Sequence, residues 1–257
     1  MGLSMATAES WVRRWELQQA RYAVDREERF SVIADVVGYV TREQPRPYVV
    51  DLGCGPGSLA ARMAARLPRA EIVAADMDPL LLELARTHHP DAARYVDVEI
   101  GEEGWTAALE LDRPLDAAVS TTALHYLSEN TLRRTYAQLA AALRPGGVLI
   151  NADHLPQRDR GGRGGAAHSR IAEHVGRCRA QRQRAFAHED WDAWWAAVAD
   201  DPELTDLLAE RGRRGPISEA GEDLPPQRHA ELLRHAGFEH AAPVWQFGDS
   251  YVLVAIR

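Results

Sequence analysis

The segment from Val49 to Leu59 constrains the fold of this chain more than any other stretch. Its apolar run ends at Asp51, glycines follow at positions 53, 55 and 57, and residues 59–67 have the spacing of an amphipathic helix. A strand, a tight glycine turn and a helix in this order form the βα unit that binds nucleotide-like ligands at the carboxyl end of a strand. The sequence therefore predicts an α/β fold with a ligand site at this turn.

The residues of the turn narrow the choice of ligand. A dinucleotide turn reads G-x-G-x-x-G, but Ser58 stands where its third glycine belongs. The carboxylate of Asp51 repels a pyrophosphate and can hold an ammonium group. S-adenosyl-L-methionine (SAM) offers an ammonium, a sulfonium and no phosphate. With Asp51, Gly53, Gly55 and Gly57 matching D/E-x-G-x-G-x-G, the chain resembles the class I SAM-dependent methyltransferases.

The resemblance covers about residues 45–155 and 226–257 and includes the order of elements along the chain. It implies that family's Rossmann-like α/β fold, in which a seven-stranded, mostly parallel sheet has the order 3-2-1-4-5-7-6 with strand 7 antiparallel. Gly248 and Asp249 separate the last two predicted strands, as is typical of a tight hairpin. We expect ligands at the carboxyl ends of the parallel strands.

Hydrophobic periodicity and turn residues predict the individual elements. The predicted strands are residues 47–52, 70–76, 93–100, 115–120, 147–153, 240–247 and 250–256. The predicted helices are residues 6–40, 57–67, 79–88, 105–110, 128–143, 167–186, 189–211 and 226–236. The pattern divides the chain into an N-terminal helical cap (1–44), a SAM-binding core (45–155 and 221–257) and a helical insertion or lid (156–220), in which residues 158–165 predict a loop.

Composition excludes several classes of protein. Of the 257 residues, 46% are hydrophobic, and the net charge of -8 argues against a general nucleic-acid binder or a membrane-surface protein. None of the 30 basic residues is lysine, which excludes Schiff-base and P-loop lysines. With two cysteines and no long apolar run, we expect a cytoplasmic protein that acts on a small-molecule acceptor without nucleic acid or membrane, with a homodimer left open.

The resemblance implies which residues contact SAM and its product S-adenosyl-L-homocysteine (SAH). Glycines let the backbone approach the methionine part because no Cβ intervenes. Asp76 lies 25 positions after Asp51, where an acid accepts hydrogen bonds from the ribose hydroxyls. Glu99 with Ile100 fits the adenine contact, and Asp97 is the alternative. The expected cofactor residues are Asp51, Gly53, Gly55, Gly57, Asp76, Met77, Glu99, Ile100 and Ser120.

Four residues are candidates for catalysis because they lie near the predicted active-site end of the sheet. His154 follows strand five, and Asp153 is placed to orient it or a neighbour. His125 and Tyr126 follow strand four, while Tyr22 lies on a helix that folds over the cofactor in many relatives. Each also has a structural interpretation as a loop, capping or packing residue. A carboxylate acceptor would need no base, and we predict no metal site.

Several other side chains admit two interpretations. Trp105 either walls the adenine or packs in the core, and Arg29 either reaches the ligands or lies on a solvated helix face. Trp191, Trp194 and Trp195 form a stripe that predicts the core of the lid, with one ring as a candidate wall of an apolar acceptor pocket.

Together these features predict a SAM-dependent methyltransferase that acts by in-line displacement on an oxygen or nitrogen atom of a small metabolite, with natural-product biosynthesis as a candidate context. Three alternatives stay open at this point. One is a SAM-binding enzyme of the same fold that catalyses cyclisation or rearrangement, and another is a non-catalytic partner protein. The third, a nicotinamide-dependent oxidoreductase, is disfavoured by Asp51 and Ser58.

Overall fold

The computed structural model describes residues 2–23, 25–155, 163–182, 189–215, 221 and 224–257. Its centre is a seven-stranded sheet of order β3-β2-β1-β4-β5-β7-β6, as predicted. The strands are β1 (Tyr48–Leu52), β2 (Glu71–Asp76), β3 (Arg94–Asp97), β4 (Leu115–Thr121), β5 (Leu143–His154), β6 (His240–Phe247) and β7 (Ser250–Ile256). Strands β1 to β5 pair in parallel, whereas β7 is antiparallel to both β5 and β6. The predicted Rossmann-like fold is confirmed.

Helices pack on both faces of this sheet and beyond its carboxyl edge. They are α1 (Met5–Gln19), α2 (Arg26–Val40), α3 (Ser58–Arg66), α4 (Pro79–His88), α5 (Trp105–Ala108), α6 (Glu129–Ala142), α7 (Arg163–Arg182), α8 (Trp191–Ala199), α9 (Thr205–Arg214) and α10 (Pro226–His235). The helical region predicted over residues 6–40 consists of two helices, because the chain turns between α1 and α2. Asp25 adopts a left-handed backbone conformation there, with φ of 49°, and this interrupts the helix.

Both faces of the sheet are apolar because helices cover both of them. On one face, Val50 and Leu149 pack in a cluster with residues of α6 and α10. On the other face, Val49 and Ile150 pack with residues of α2 and α3. Because β1, β2, β4 and β5 pair in parallel, their carboxyl ends lie along one edge of the sheet.

A third apolar cluster joins α1, α4 and α8. Trp194 lies at its centre, fully buried, with ring centroids 5.5 Å from Trp11 and 5.1 Å from Trp15 in edge-on contacts. The interpretation of Trp194 as lid core therefore agrees with the structure. We call α7, α8 and α9, which lie between β5 and α10, the inserted helices.

The predicted helix 189–211 is divided into α8, a short 3-10 helix (Pro202–Leu204) and α9. Pro202 lacks the N–H that a continuing helix requires, and the Asp201 side chain caps the new start by accepting the N–H of Glu203. Residues 158–162 of the predicted loop 158–165 lie outside the described residues, and residues 163–165 belong to the first turn of α7 and not to a loop. Among the residues that are described, no helix has the length and apolar character needed to cross a bilayer.

Candidate active site

A cavity of about 980 Å³ opens at the carboxyl edge of the sheet. Its wall includes the loops that follow β1, β2 and β4, and the opposite side is formed by α1 and the inserted helices through Trp15, Trp191 and Arg211. Parallel α/β sheets bind ligands in this position. The volume is at the upper end for small-molecule sites, so a cofactor and an acceptor fit together.

The glycine turn after β1 shapes one wall and requires glycine for steric reasons. Gly53 has φ of 69°, and a Cβ there would lie only 2.3 Å from the Cβ of Ala123. Gly55, with φ of 53°, lines the cavity, and its N–H donates to Asp76 Oδ2 at 2.7 Å. Gly57 has a different role, because its lack of a side chain allows Tyr95 to pack against the turn. A Cβ at this position would lie 2.9 Å from Tyr95 Oη.

Carboxylates gather where the glycine turn meets β2. Burial, together with the charge of Asp76, raises the pKa of Asp51 to about 7. Burial also raises the pKa of Asp76 to about 6, although the backbone N–H groups of Asp78 and Gly55 partly oppose this. A cation in the adjoining cavity would favour the ionised form of both carboxyls. This edge therefore fits a ligand that carries positive charge and no phosphate, as SAM does.

The residues expected at the adenosine half lie together along the cavity wall, namely Asp76, Met77, Glu99 and Ile100. Asp97, the alternative to Glu99, is engaged elsewhere, because its carboxylate pairs with Arg214 at 2.7 Å. The geometry therefore favours Glu99 as the acid that faces a ligand.

Asp51 and Ser120 do not line the cavity, contrary to the direct contact expected of them. Both side chains are completely buried behind the wall. Ser120 Oγ donates to the carbonyl of Leu52 at 2.9 Å and thereby ties β4 to β1. Trp105 does not wall the adenine but packs in the core, where its Nε1 donates to Gln138 Oε1 at 2.6 Å.

A histidine–aspartate pair connects the ends of β4 and β5. His125, in the short 3-10 helix Leu124–Tyr126, lines the cavity with its Nδ1 2.9 Å from Asp153 Oδ1. Burial alone would raise the pKa of Asp153, but His125, His154 and Arg29 hold it below its usual value. Asp153 is therefore ionised and accepts the Nδ1–H, which leaves Nε2 as the basic nitrogen of a neutral His125.

The other three catalytic candidates also line the cavity, with different partners. His154 Nδ1 lies 3.8 Å from Asp249 Oδ1, and its Nε2 has no hydrogen-bond partner in the described part of the chain. Burial raises the pKa of Tyr126, so this phenol can donate a hydrogen bond but cannot act as a base near neutral pH. Tyr22 Oη accepts the backbone N–H of Trp191 at 3.0 Å and joins α8 to the N-terminal helices.

Two further residues shape the site in ways that the sequence did not indicate, and a third, Arg29, is buried and does not lie on a solvated helix face. Arg26 lines the cavity and pairs with Glu16 across the turn between α1 and α2. Thr122 also lines it, with φ of 51°, a strained conformation for a β-branched residue and one that clusters at functional sites. Arg29 lies beneath the site, almost fully buried, and donates to the carbonyl of Ala152 at 2.5 Å. The role of Arg29 could not be read from a local pattern, because its partner Ala152 is 123 positions away in sequence.

Comparison with known proteins agrees with this geometry. A family model described as a methyltransferase domain matches residues 49–147. Trans-aconitate 2-methyltransferase of Methylobacterium radiotolerans is 34% identical over 88% of this chain and 70% of that protein. The protein of the same name from Methylobacterium nodulans is 30% identical over a match that covers 76% of this chain and 74% of that protein. An O-methyltransferase family protein from Burkholderia thailandensis shares the fold, with a TM-score of 0.55 at 18% identity, over 97% of this chain and 68% of that one.

Proposed function

This chain belongs to the class I SAM-dependent methyltransferases, and we propose that it methylates an oxygen atom of a small-molecule acceptor with His125 as the base. The observation that carries the proposal is the pair of His125 and the buried, ionised Asp153 on the cavity wall. Such a pair is suited to take a proton from a hydroxyl group.

SAM, when bound, supplies an electrophilic methyl group for in-line displacement. The backbone at Gly53 and Gly55 would hold its methionine part, while Asp76, Met77 and Glu99 would hold its adenosine part. These residues line one continuous wall of the cavity. The acidic edge suits the positive charge of the cofactor, so the site fits SAM by shape and by charge.

His125 would act on the acceptor. As the acceptor oxygen displaced the methyl group from the sulfonium, breaking the carbon–sulfur bond and leaving SAH, the hydroxyl proton would pass to Nε2 of His125, and Asp153 would stabilise the imidazolium through its contact with Nδ1. A positioned base of this kind contributes about 10²–10⁴-fold to the rate. Holding the two reacting atoms in line supplies much of the remainder.

Other cavity residues would orient the acceptor and exclude water. Tyr126 is a hydrogen-bond donor, while Trp15 and Trp191 supply aromatic surface. The N-terminal cap (1–44) and the insertion (156–220) would close over the acceptor. Aromatic surface favours an acceptor with a flat apolar part, which supports a role in natural-product biosynthesis.

A carboxylate acceptor is the second candidate, because the two curated relatives described above are named trans-aconitate 2-methyltransferases. His154 and Arg26, the latter also paired with Glu16, line the cavity and would orient an acid. In this case no base is needed, and a protonated His125 would help to bind the carboxylate. The two candidates therefore require opposite protonation states of the same residue.

A labelling experiment tests the proposal. Purified protein would be incubated with SAM that carries a deuterated methyl group and with phenols, alcohols, amines, and di- and tricarboxylic acids that include trans-aconitate. We expect mass spectrometry to place the label on a hydroxyl oxygen, with the product lost in His125→Gln and retained in the exposed control His235→Gln. Label only on a carboxylate or an amine, or a product of unchanged mass, would overturn it.

A further inference from the structure

Two arginines bind the inserted helix α9 to the ends of β2 and β3. Arg211 Nε donates to Asp78 Oδ2 at 2.6 Å. Arg214 donates to the two carboxylate oxygens of Asp97 at 2.7 and 2.9 Å and to the Met77 carbonyl at 2.9 Å. Because these strand ends carry the acids of the cavity edge, charge-assisted hydrogen bonds hold α9 at the cavity itself.

Trp195 of α8 extends this contact into the cavity wall. Its ring centroid lies 3.9 Å from Arg211 Cζ, a cation–π arrangement. Trp191 and Trp194 pack against it with centroid separations of 5.8 and 4.9 Å and so restrict its orientation. Trp195 and Arg211 line the same cavity as Met77 and Asp78, which places a wall of inserted residues beside the end of β2.

This end of the cavity has the chemistry that a nucleoside requires. Each oxygen of Asp76 accepts one backbone N–H, from Gly55 at 2.7 Å and from Asp78 at 2.9 Å. A carboxylate has about four lone-pair sites, so acceptor capacity is left for two ribose hydroxyls. Aromatic rings and guanidinium planes stack on nucleic bases, since every base has a π-face.

We infer that Trp195 and Arg211 form the outer wall of the adenosine half of the SAM site. The inserted helices are then part of the cofactor site and not only a cover for the acceptor. Cofactor binding and docking of α9 are coupled through Asp78, which caps α4 with one carboxylate oxygen and holds Arg211 with the other. The inference concerns the cofactor and is independent of which acceptor atom receives the methyl group.

Calorimetric titration without acceptor tests the inference. The probes are SAH and 5′-methylthioadenosine, which keeps the adenosine half and lacks the amino acid. We expect Trp195→Ala to weaken both ligands by about 10-fold or more, and by the same factor, because the lost contact is to the adenosine half. Arg211→Gln should weaken both less strongly, and Trp195→Phe, which keeps a ring, should restore most of the affinity.

Arg213→Gln is the matched control, since Arg213 lies on the same helix and pairs with Glu210 of that helix. It should bind both probes as the unmodified chain does. Unchanged affinity in Trp195→Ala and Arg211→Gln would overturn the inference, as would a loss for SAH with none for 5′-methylthioadenosine.

Tryptophan fluorescence provides a readout that a purely structural role would not change. SAH should quench part of the emission of the unmodified chain, and that part should be absent in Trp195→Phe although this variant still binds. Identical quenching in both proteins would contradict the inference. Because Trp195→Phe keeps an aromatic ring in this packing, the fluorescence comparison tests the inference even if Trp195→Ala does not fold.

Discussion

At the scale of single residues, Asp51 and Asp76 make cofactor binding sensitive to pH. Their pKa values of about 7 and about 6 mean that both are partly protonated near pH 6 in the free protein. A bound cation favours the ionised forms, so protons must leave when SAM binds, and the affinity should fall as the pH decreases from 7 to 5.

Calorimetry at pH 6 in two buffers of different ionisation enthalpy measures this proton release. We expect net release on SAM binding, and a smaller release in Asp51→Asn. Asp116→Asn is the control, because Asp116 is buried at the opposite end of β4 and pairs with Arg144. Equal heats in the two buffers would contradict the predicted linkage.

Gly53 is the position of the glycine turn where a methyl group does most harm. In Gly53→Ala, the left-handed conformation costs about 1–3 kcal/mol and the 2.3 Å approach to Ala123 costs about 1–3 kcal/mol more. Gly104→Ala is the matched control, because Gly104 also has positive φ, of 78°, but a Cβ there meets nothing within 4 Å. Urea unfolding should show a clearly larger loss of stability for Gly53→Ala, and equal losses would show that packing against Ala123 is unimportant.

The sequence identified residues whose role is local more readily than those whose role is tertiary. Asp78 and Pro79 predicted the start of a helix, and α4 begins at Pro79 with Asp78 accepting the N–H groups of Leu80 and Leu81. In contrast, Asp153 was placed to orient His154 or a neighbour, and the structure places His125 beside it. Sequence spacing could not identify the partner of Asp153, because the contact joins β5 to the 3-10 helix that follows β4.

At the scale of elements, the tryptophan contacts between α1 and α8 should be able to break without unfolding of the central sheet. Trp194 and Trp105 are both fully buried, but Trp194 lies in the cluster of α1, α4 and α8, whereas Trp105 lies in a cluster under the sheet. Removing either ring costs about 3–5 kcal/mol of local packing. We expect Trp194→Ala to loosen the packing of α8 on α1 without unfolding the sheet.

Hydrogen–deuterium exchange distinguishes local loosening of α1 and α8 from unfolding of the sheet. Trp194→Ala should accelerate exchange in α1 and α8 while β1 and β4 stay protected, and Trp105→Ala should lower the protection of the strands as well. If Trp194→Ala accelerated exchange in β1 and β4 as much as in α1 and α8, the contact between α1 and α8 would unfold together with the sheet.

Element boundaries could be predicted where a local signal sets them. The hairpin at Gly248 and Asp249 agrees with the observed antiparallel pair of β6 and β7. The position of the break between α1 and α2 could not be predicted, because it depends on a left-handed Asp25, which no propensity requires. The Asp25 carboxylate in this turn pairs with Arg179 of α7 at 2.8 Å, a contact between residues 154 positions apart.

At the scale of the whole molecule, the sheet order followed from the resemblance, whereas the shape of the cavity did not. The glycine turn and Asp76 identified one wall from the sequence. The opposite wall comes from α1 together with α8 and α9. Hydrogen bonds between Tyr22 and Trp191 and between Trp11 and Asp201 join residues that are 169 and 190 positions apart. Contacts of this range leave no periodic pattern, so only the structure could bring these residues to the site.

The pH dependence of methyl transfer from a preformed complex with SAM tests most directly whether His125 is a base. At saturating acceptor, the single-turnover rate should rise with pH and then level off, because a histidine base acts only in its neutral form and Asp153 stays ionised. Asp153→Asn should lower the plateau by about 10²-fold or more while SAM affinity stays unchanged. A rate that falls as the pH rises would instead mean that a protonated His125 binds a carboxylate, and the proposal of a hydroxyl acceptor would be wrong.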